Sequence, residues 1–146
     1  MKKGTVRFAV SEDLDRIEEI EINSFETPWT REALRMEIEE IEMSDVFVIE
    51  DNNYVIGYMS YMKIFDEVHI NNIAIDSSYR GSGYGRELVS TIVEDLLNRE
   101  FSITLEVRDD NTAAINLYES LGFKEAGVRK DYYGIGKNAL IMWNRR

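Results

Sequence analysis

Apolar residues recur along the chain with periods that predict its elements. Over residues 6–10 they alternate, as in a strand, and from Leu14 to Ile20 they fall every three residues, as on one face of a helix. Ser11 is predicted to cap that helix, and Thr30 is predicted to cap a second one. The first 45 residues therefore predict one strand followed by two helices.

The remainder of the chain predicts six strands and two helices. The strands are expected at residues 46–50, 54–64, 68–75, 102–107, 124–133 and 138–143, with turns at 51–53 and 134–136. One helix follows a glycine-rich segment, and a shorter one begins at Asn111 and ends before Gly122.

The connections between these elements predict the fold class. Short turns join the strands at 46–50, 54–64 and 68–75, which indicates an antiparallel meander, whereas the passage through a helix to 102–107 requires a parallel crossover. The order β-α-α-β-β-β-α-β-α-β-β predicts an α/β fold with a mixed, mostly antiparallel sheet flanked by helices. With 146 residues and no linker or repeat, one domain is expected over 1–146.

Composition excludes several classes of site. The chain has no cysteine, so a disulfide framework, a thiolate metal site and a cysteinyl acyl intermediate are all excluded. His69 is the one histidine, and because a lone histidine in a strand is usually structural, no metal site and no catalytic role are predicted for it. Without an apolar run of membrane length or a signal core after Met1, the sequence predicts a cytoplasmic protein without a membrane partner.

Acidic residues are concentrated near the start of the chain. Residues 12–51 hold 15 acidic and three basic residues, a net charge of −12. The concentration indicates either solvated helix faces or a surface that attracts a basic partner. Direct binding of nucleic acid is not predicted, because it relies on basic patches.

A glycine-rich segment joins the strand at 68–75 to the next helix. Its residues are Arg80, Gly81, Ser82, Gly83, Tyr84, Gly85 and Arg86. The spacing fits neither a Walker-type loop nor the dinucleotide fingerprint. Glycines allow close approach of the backbone to an anion, and the helix N-terminus favours a pyrophosphate, although a glycine-rich turn without a ligand is the alternative.

Glu106 interrupts an otherwise apolar strand. By alternation it shares a face with Thr104, opposite Leu105 and Val107. A carboxylate at this position could act as a general base, directly or through water. A solvent-facing glutamate or a partner for Arg108 are the alternatives.

The chain resembles the GNAT-type N-acetyltransferases, and within them the ribosomal-protein-alanine N-acetyltransferases. Arg80, Gly83 and Gly85 match the acetyl-CoA loop of that family, and the predicted element order is also the family's. Four further segments carry the resemblance: 25–30 (FETPWT), 72–76 (NIAID), 105–108 (LEVR) and 116–123 (NLYESLGF).

The resemblance implies a set of cofactor-binding residues. The loop 80–86 would hold the pyrophosphate of acetyl-CoA, and Ile73, Ala74 and Ile75 would pair with its pantetheine arm. Asn111 and Tyr118 would also contact the cofactor.

The resemblance also implies catalytic roles. Glu106 would be the general base, and Tyr118 the general acid that protonates the leaving thiolate. Tyr118 could instead be an ordinary core aromatic. With no cysteine, the acetyl group would pass directly to the amine.

The acceptor implied by the resemblance is the N-terminal alanine of a small-subunit ribosomal protein, a basic partner. An α-amine has an ordinary pKa of roughly 7.7 to 8, against about 10.4 for lysine, so a mild base suffices for it. Acetylation of lysine, a polyamine or another small amine is one alternative, and a non-catalytic acyl-CoA sensor is another. The acceptor groove is expected between the first two helices and the last hairpin.

Overall fold

The computed structural model describes residues 3–145. Residues 1, 2 and 146 lie outside the described residues, and they include both ends of the predicted domain 1–146. Seven strands form one sheet: β1 (Thr5–Phe8), β2 (Ser44–Asp51), β3 (Tyr54–Ile64), β4 (Glu67–Ile75), β5 (Ser102–Arg108), β6 (Lys124–Arg129) and β7 (Ala139–Asn144). The four α-helices are α1 (Leu14–Ser24), α2 (Arg31–Glu39), α3 (Tyr84–Asn98) and α4 (Thr112–Ser120).

The sheet confirms the predicted fold class. Its strand order is β1-β2-β3-β4-β5-β7-β6, and β4–β5 is the one parallel pairing in the described chain. The meander β2–β3–β4 and the crossover through α3 are both present, as the connection lengths require.

The helices cover the two faces of the sheet with separate apolar clusters. On α3 the buried residues are those expected from the sequence: Leu88, Val89, Ile92, Val93 and Leu96. They pack with β3, β4 and β5, while α1 and α2 pack on the opposite face. Burying each such aliphatic side chain contributes about 1.5–3 kcal/mol, so these clusters hold the helices against the sheet.

Two local predictions were wrong at the start of the chain. The first strand ends at Phe8, and Val10 is exposed and outside it. Ser11 caps no helix, because residues 11–13 form a short 3₁₀ turn before α1. Asp13 takes the structural role instead: its carboxylate accepts the N–H of Val10 at 2.8 Å and binds Arg7.

The strand β6 is shorter than predicted, whereas β7 has the predicted length and begins one residue later. β6 ends at Arg129, and the segment 130–138 is a loop rather than a strand end and a tight turn. Asp131 explains the break, since it adopts a positive φ of 57° and its carboxylate accepts the N–H of Gly136 at 2.7 Å. Tyr132 and Tyr133 therefore lie in the loop, outside the backbone hydrogen bonds that pair β6 with β7.

The strands β4 and β5 separate after a short paired segment. Glu67–His69 pair with Ser102–Thr104, and both strands then continue without a shared ladder. Opposite β3, the register of β4 shifts between Ile70 and Asn72, which leaves Asn71 as a bulge. Because a bulge bends its strand, β4 turns away from β5 and a gap opens between them. None of the described helices is long and apolar enough to cross a membrane.

Candidate active site

A cavity of about 580 Å³ opens where β4 and β5 separate. It is bounded by β4 and β5, by the α1–α2 corner, by the start of α4 and by the β6–β7 loop. The residues that line it are Glu21, Ser24, Phe25, Glu26, Thr27, Trp29, 70–73, 105–108, Asn111, Ala114, Tyr118, Tyr133 and Lys137. The end of α1, the corner before α2 and the loop of the last hairpin thus meet at one cavity, in the region where the acceptor groove is expected.

Glu106 lies in the wall of this cavity, with its side chain only 10% exposed. Its Oε2 is 2.5 Å from Nε2 of His69, and its Oε1 is 3.3 Å from Nε of Arg129. Arg108 binds Asp110 instead, at 2.9 Å. Glu106 is therefore neither a solvent-facing residue nor the partner of Arg108, and its two oxygens are oriented by neighbours on other strands.

Tyr118 lies on α4 and reaches the same cavity, while its ring packs edge to face against Phe123. Burial raises the pKa of Tyr118 to about 12, and the nearby Tyr133 adds a smaller electrostatic contribution in the same direction. A phenol with this pKa is protonated throughout the neutral range, as a proton donor must be. Tyr118 is thus both a packed core aromatic and a cavity residue.

Glu21 is a buried carboxylate to which the sequence analysis assigned no role. It is 1% exposed, and its oxygens accept hydrogen bonds from the backbone N–H of Trp29 at 2.9 Å and from Nδ2 of Asn72 at 2.7 Å. The hydroxyl of Tyr58 donates to it as well. Desolvation raises the pKa of Glu21, and the bonds from Trp29 and Asn72 oppose that rise. These bonds fix the α1–α2 corner against β4.

The glycine loop lies beside the cavity, between β4 and α3. Gly81 and Gly83 have φ angles of 77° and 92°, which favour glycine, and a Cβ at either position would meet no atom within 4 Å. The loop therefore has an open outer side, and Gly83 is the N-cap of a 15-residue helix.

Cationic side chains surround this loop. Lys3 donates from Nζ to the carbonyl of Ser82 at 2.9 Å, a contact that the sequence gave no reason to expect. Arg80 donates to the carbonyl of Ile75 at 2.9 Å, and Arg86 to the hydroxyl of Ser120 at 2.9 Å. Open backbone, a helix N-terminus and fixed positive charges together suit a pyrophosphate.

Of the remaining predicted cofactor residues, Ile73 and Asn111 line the cavity, whereas Ala74 and Ile75 lie beyond its lining. Ile73, Ala74 and Ile75 pair with β3 on one side, and their other side faces the gap left by β5. Asn111 lines the cavity and caps α4, since its Oδ1 accepts the N–H of Ala114 at 3.2 Å. Its amide N–H₂ remains the group able to donate to a ligand.

Besides Lys3, three contributors to the site escaped the sequence analysis: Glu21, Arg129 and the pairing of His69 with Glu106. For Glu21 the available signal was its position beside the apolar face of α1. An acid that is buried there must have partners, because an unpaired charge is costly to bury. For Arg129 and His69 there was no local signal, since their contacts with Glu106 depend on strand order.

Residues 14–123 match the acetyltransferase (GNAT) family. A relative from Bacillus subtilis (strain 168), provisionally named a [ribosomal protein bS18]-alanine N-acetyltransferase, is 38% identical over 97% of this chain and 95% of its own length.

Two solved structures share the fold. The ribosomal-protein-S18-alanine N-acetyltransferase from Escherichia coli superposes with a TM-score of 0.88 at 32% identity, over 97% of this chain and 92% of that one. A phosphinothricin acetyltransferase from Sinorhizobium meliloti, crystallised in complex with AcCoA, has a TM-score of 0.83 at 24% identity, over 98% of this chain and 88% of that one. At that lower identity the second similarity concerns the fold alone. The chain, an acyltransferase, belongs to the acetyltransferase (GNAT) family, among the relatives of the ribosomal-protein-alanine N-acetyltransferases.

Proposed function

We propose that this enzyme transfers the acetyl group of acetyl-CoA to the α-amine of a protein N-terminus, the N-terminal alanine of ribosomal protein bS18. The cavity carries the proposal, because Glu106 and Tyr118 line it from facing elements. The names of the relatives in Bacillus subtilis and Escherichia coli support this acceptor.

The fit of acetyl-CoA rests on the loop and on the free side of β4. The pyrophosphate would lie against the open face of Gly81 and Gly83, near Arg80, Arg86 and Lys3, and the pantetheine arm would follow 73–75 toward Asn111. When bound, the cofactor supplies an acetyl thioester as the electrophile. The 580 Å³ cavity then receives the acceptor amine from the side of the α1–α2 corner.

The residues of the cavity divide the proton transfers between them. Glu106 accepts the proton of the incoming ammonium group, because its carboxylate faces the cavity and is oriented by Arg129 and His69. Tyr118 is protonated at neutral pH and donates its proton to the departing sulfur. The second proton that the amine loses as the amide forms then restores the phenol. The chain has no cysteine to carry an acyl group, so the transfer is direct.

The test is a panel of acceptors incubated with acetyl-CoA. We expect acetylation of a basic peptide that begins with alanine, and none of the same peptide with a blocked α-amine and intact lysines. Efficient acetylation of the blocked peptide, or of polyamines alone, would place the enzyme in the lysine or small-amine class.

Replacing Tyr118 by phenylalanine should lower kcat by about tenfold or more while the melting temperature changes little. The substitution removes only a hydroxyl, and the ring keeps its packing against Phe123. Single-turnover assays and thermal melts measure the two effects. Loss of stability with normal activity of the folded protein would leave Tyr118 a core aromatic. Tyr132→Phe, in the exposed loop, is the matched control.

The acidic surface should make recruitment of a basic acceptor depend on salt. Arg16, Arg31 and Arg35 are already bound to acidic residues, so the excess negative charge of 12–51 is not neutralised from within. Because the Debye length falls from about 10 Å at 0.1 M to 3 Å at 1 M salt, kcat/KM for a basic alanine peptide should fall several-fold. A neutral alanine peptide serves as the control. If kcat/KM for the basic peptide does not change with salt, the acidic residues of 12–51 only solvate the surface.

We also propose the bounds of the domain and the location of the enzyme in the cell. The single domain over 1–146 is supported by a sheet that runs from Thr5 to Asn144. We place the enzyme in the cytoplasm, where a ribosomal acceptor is made.

A further inference from the structure

His69 contacts the carboxylate of Glu106 from outside the cavity. It is the last residue of β4 that pairs with β5, opposite Thr104. Its Nε2 lies 2.5 Å from Oε2 of Glu106, and its side chain is 39% exposed against 10% for the glutamate. Glu106 lines the cavity and His69 does not. The two side chains thus connect the cavity to the solvent in two steps.

This connection meets a need of the proposed reaction. Each turnover leaves on Glu106 the proton of an ammonium group, and that proton must depart before the next acceptor is deprotonated. The carboxylate has little contact with water, and its other oxygen faces the guanidinium of Arg129, which cannot accept a proton. Of the two side chains that the described structure places against the Glu106 oxygens, His69 is the one with a lone pair, and histidine is the side chain suited to moving protons near neutral pH.

We propose that His69 is a positioning residue that orients Glu106 and carries its proton to the solvent. The O–H bond of the Glu106 carboxyl breaks, an N–H bond forms at Nε2 of His69, and the proton on Nδ1 leaves to water. Exchange of the exposed imidazole with water, with one proton gained at Nδ1 and one lost from Nε2, then restores the tautomer that accepts the next proton. One proton enters from the amine and one leaves, with no further reactant. The inference rests on the proposed function, because it needs an amine that loses its proton in the cavity.

Charged and titratable groups lie near the pair on several elements. Arg129 approaches Glu106 from β6, and Tyr133 of the β6–β7 loop lies within the electrostatic influence of Glu106 and of Arg108. On the β3 side His69 is paired with Met62, which carries no charge.

The kinetic test compares His69→Gln and His69→Ala with the wild-type enzyme on the alanine peptide. Glutamine keeps a polar side chain but does not titrate, so kcat should fall about tenfold, which is less than the 10²–10⁴-fold contribution of a direct base. KM for peptide and acetyl-CoA should stay unchanged, and the dependence of kcat on pH should change shape. Added imidazole should restore kcat of His69→Ala in proportion to its concentration. Wild-type kcat and pH profile in both variants, or a loss that imidazole does not restore, would overturn the proposal.

A second measurement needs no turnover. Because His69 is the one histidine of the chain, its ring nitrogens give unambiguous NMR signals. The Nε2 signal should shift in Glu106→Gln, and an unchanged signal would show that the contact does not exist in solution. If the wild-type enzyme acetylates only a lysine peptide or a polyamine, the N-terminal assignment fails. The same variants are then assayed on that amine, because its proton must leave by the same route.

Discussion

Glu106→Gln is expected to lower kcat by about 100-fold or more, with the affinity for acetyl-CoA little changed. Glutamine keeps the shape of the side chain and an acceptor oxygen, so its hydrogen bonds to His69 and Arg129 can persist. What disappears is the ability to take a proton from the ammonium group. Steady-state kinetics with the alanine peptide measure kcat, and calorimetry measures acetyl-CoA binding.

A matched control separates catalysis from charge in this experiment. Glu125→Gln removes the same charge from the exposed face of β6, outside the cavity, and should leave kcat at the wild-type level. Thermal melts exclude a folding defect in either variant. Full activity of Glu106→Gln would show that the amine loses its proton elsewhere, and would remove the need for the relay through His69 as well.

Gly83→Asp should abolish measurable binding of acetyl-CoA. The new Cβ meets no atom of the protein within 4 Å, so the side chain extends into the open space where we place the pyrophosphate. Like charges in contact within a binding site cost several kcal/mol, which is at least about a 100-fold loss of affinity. Calorimetric titration of the folded variant gives the affinity.

The backbone conformation of Gly83 requires its own control. Its φ of 92° strains any other residue, so Gly83→Ala carries the strain without the charge. We expect alanine to weaken binding far less than aspartate, and the difference between them should narrow at high salt, where charges are screened. Equal and small effects of both substitutions would show that the pyrophosphate does not lie at this loop.

The predicted chemistry depends on a gap in the sheet rather than on a single motif. The bulge at Asn71 bends β4 away from β5, and the cavity fills the space between them. Glu21 then closes one end of the cavity by fixing Trp29 against β4. A change in Glu21 would therefore act on the acceptor side, at a distance from the loop that is proposed to hold the cofactor.

Local patterns were sufficient for most of the fold. The buried face of α3 could be predicted because its apolar residues repeat with the helical period. The caps Thr30 and Asn111 could be predicted because each accepts a hydrogen bond from an N–H three residues ahead. The glycine loop was recognisable because its backbone requirement is also local. The helix start predicted at Ser11 was wrong because Asp13 holds that turn, through its ion pair with Arg7 on β1 and its hydrogen bond from the N–H of Val10.

The contacts of Glu106 with His69 and Arg129 could not be predicted from these patterns. Glu106 was identifiable as an acid in an apolar strand, but its partners are 37 residues earlier on β4 and 23 residues later on β6. Which side chains meet across a sheet depends on strand order, on register and on the bulge at Asn71, and each of these arises from packing of the whole domain. The sequence therefore specifies which residues can carry the chemistry, whereas the folded sheet brings His69 and Arg129 to Glu106 and opens the cavity that it faces.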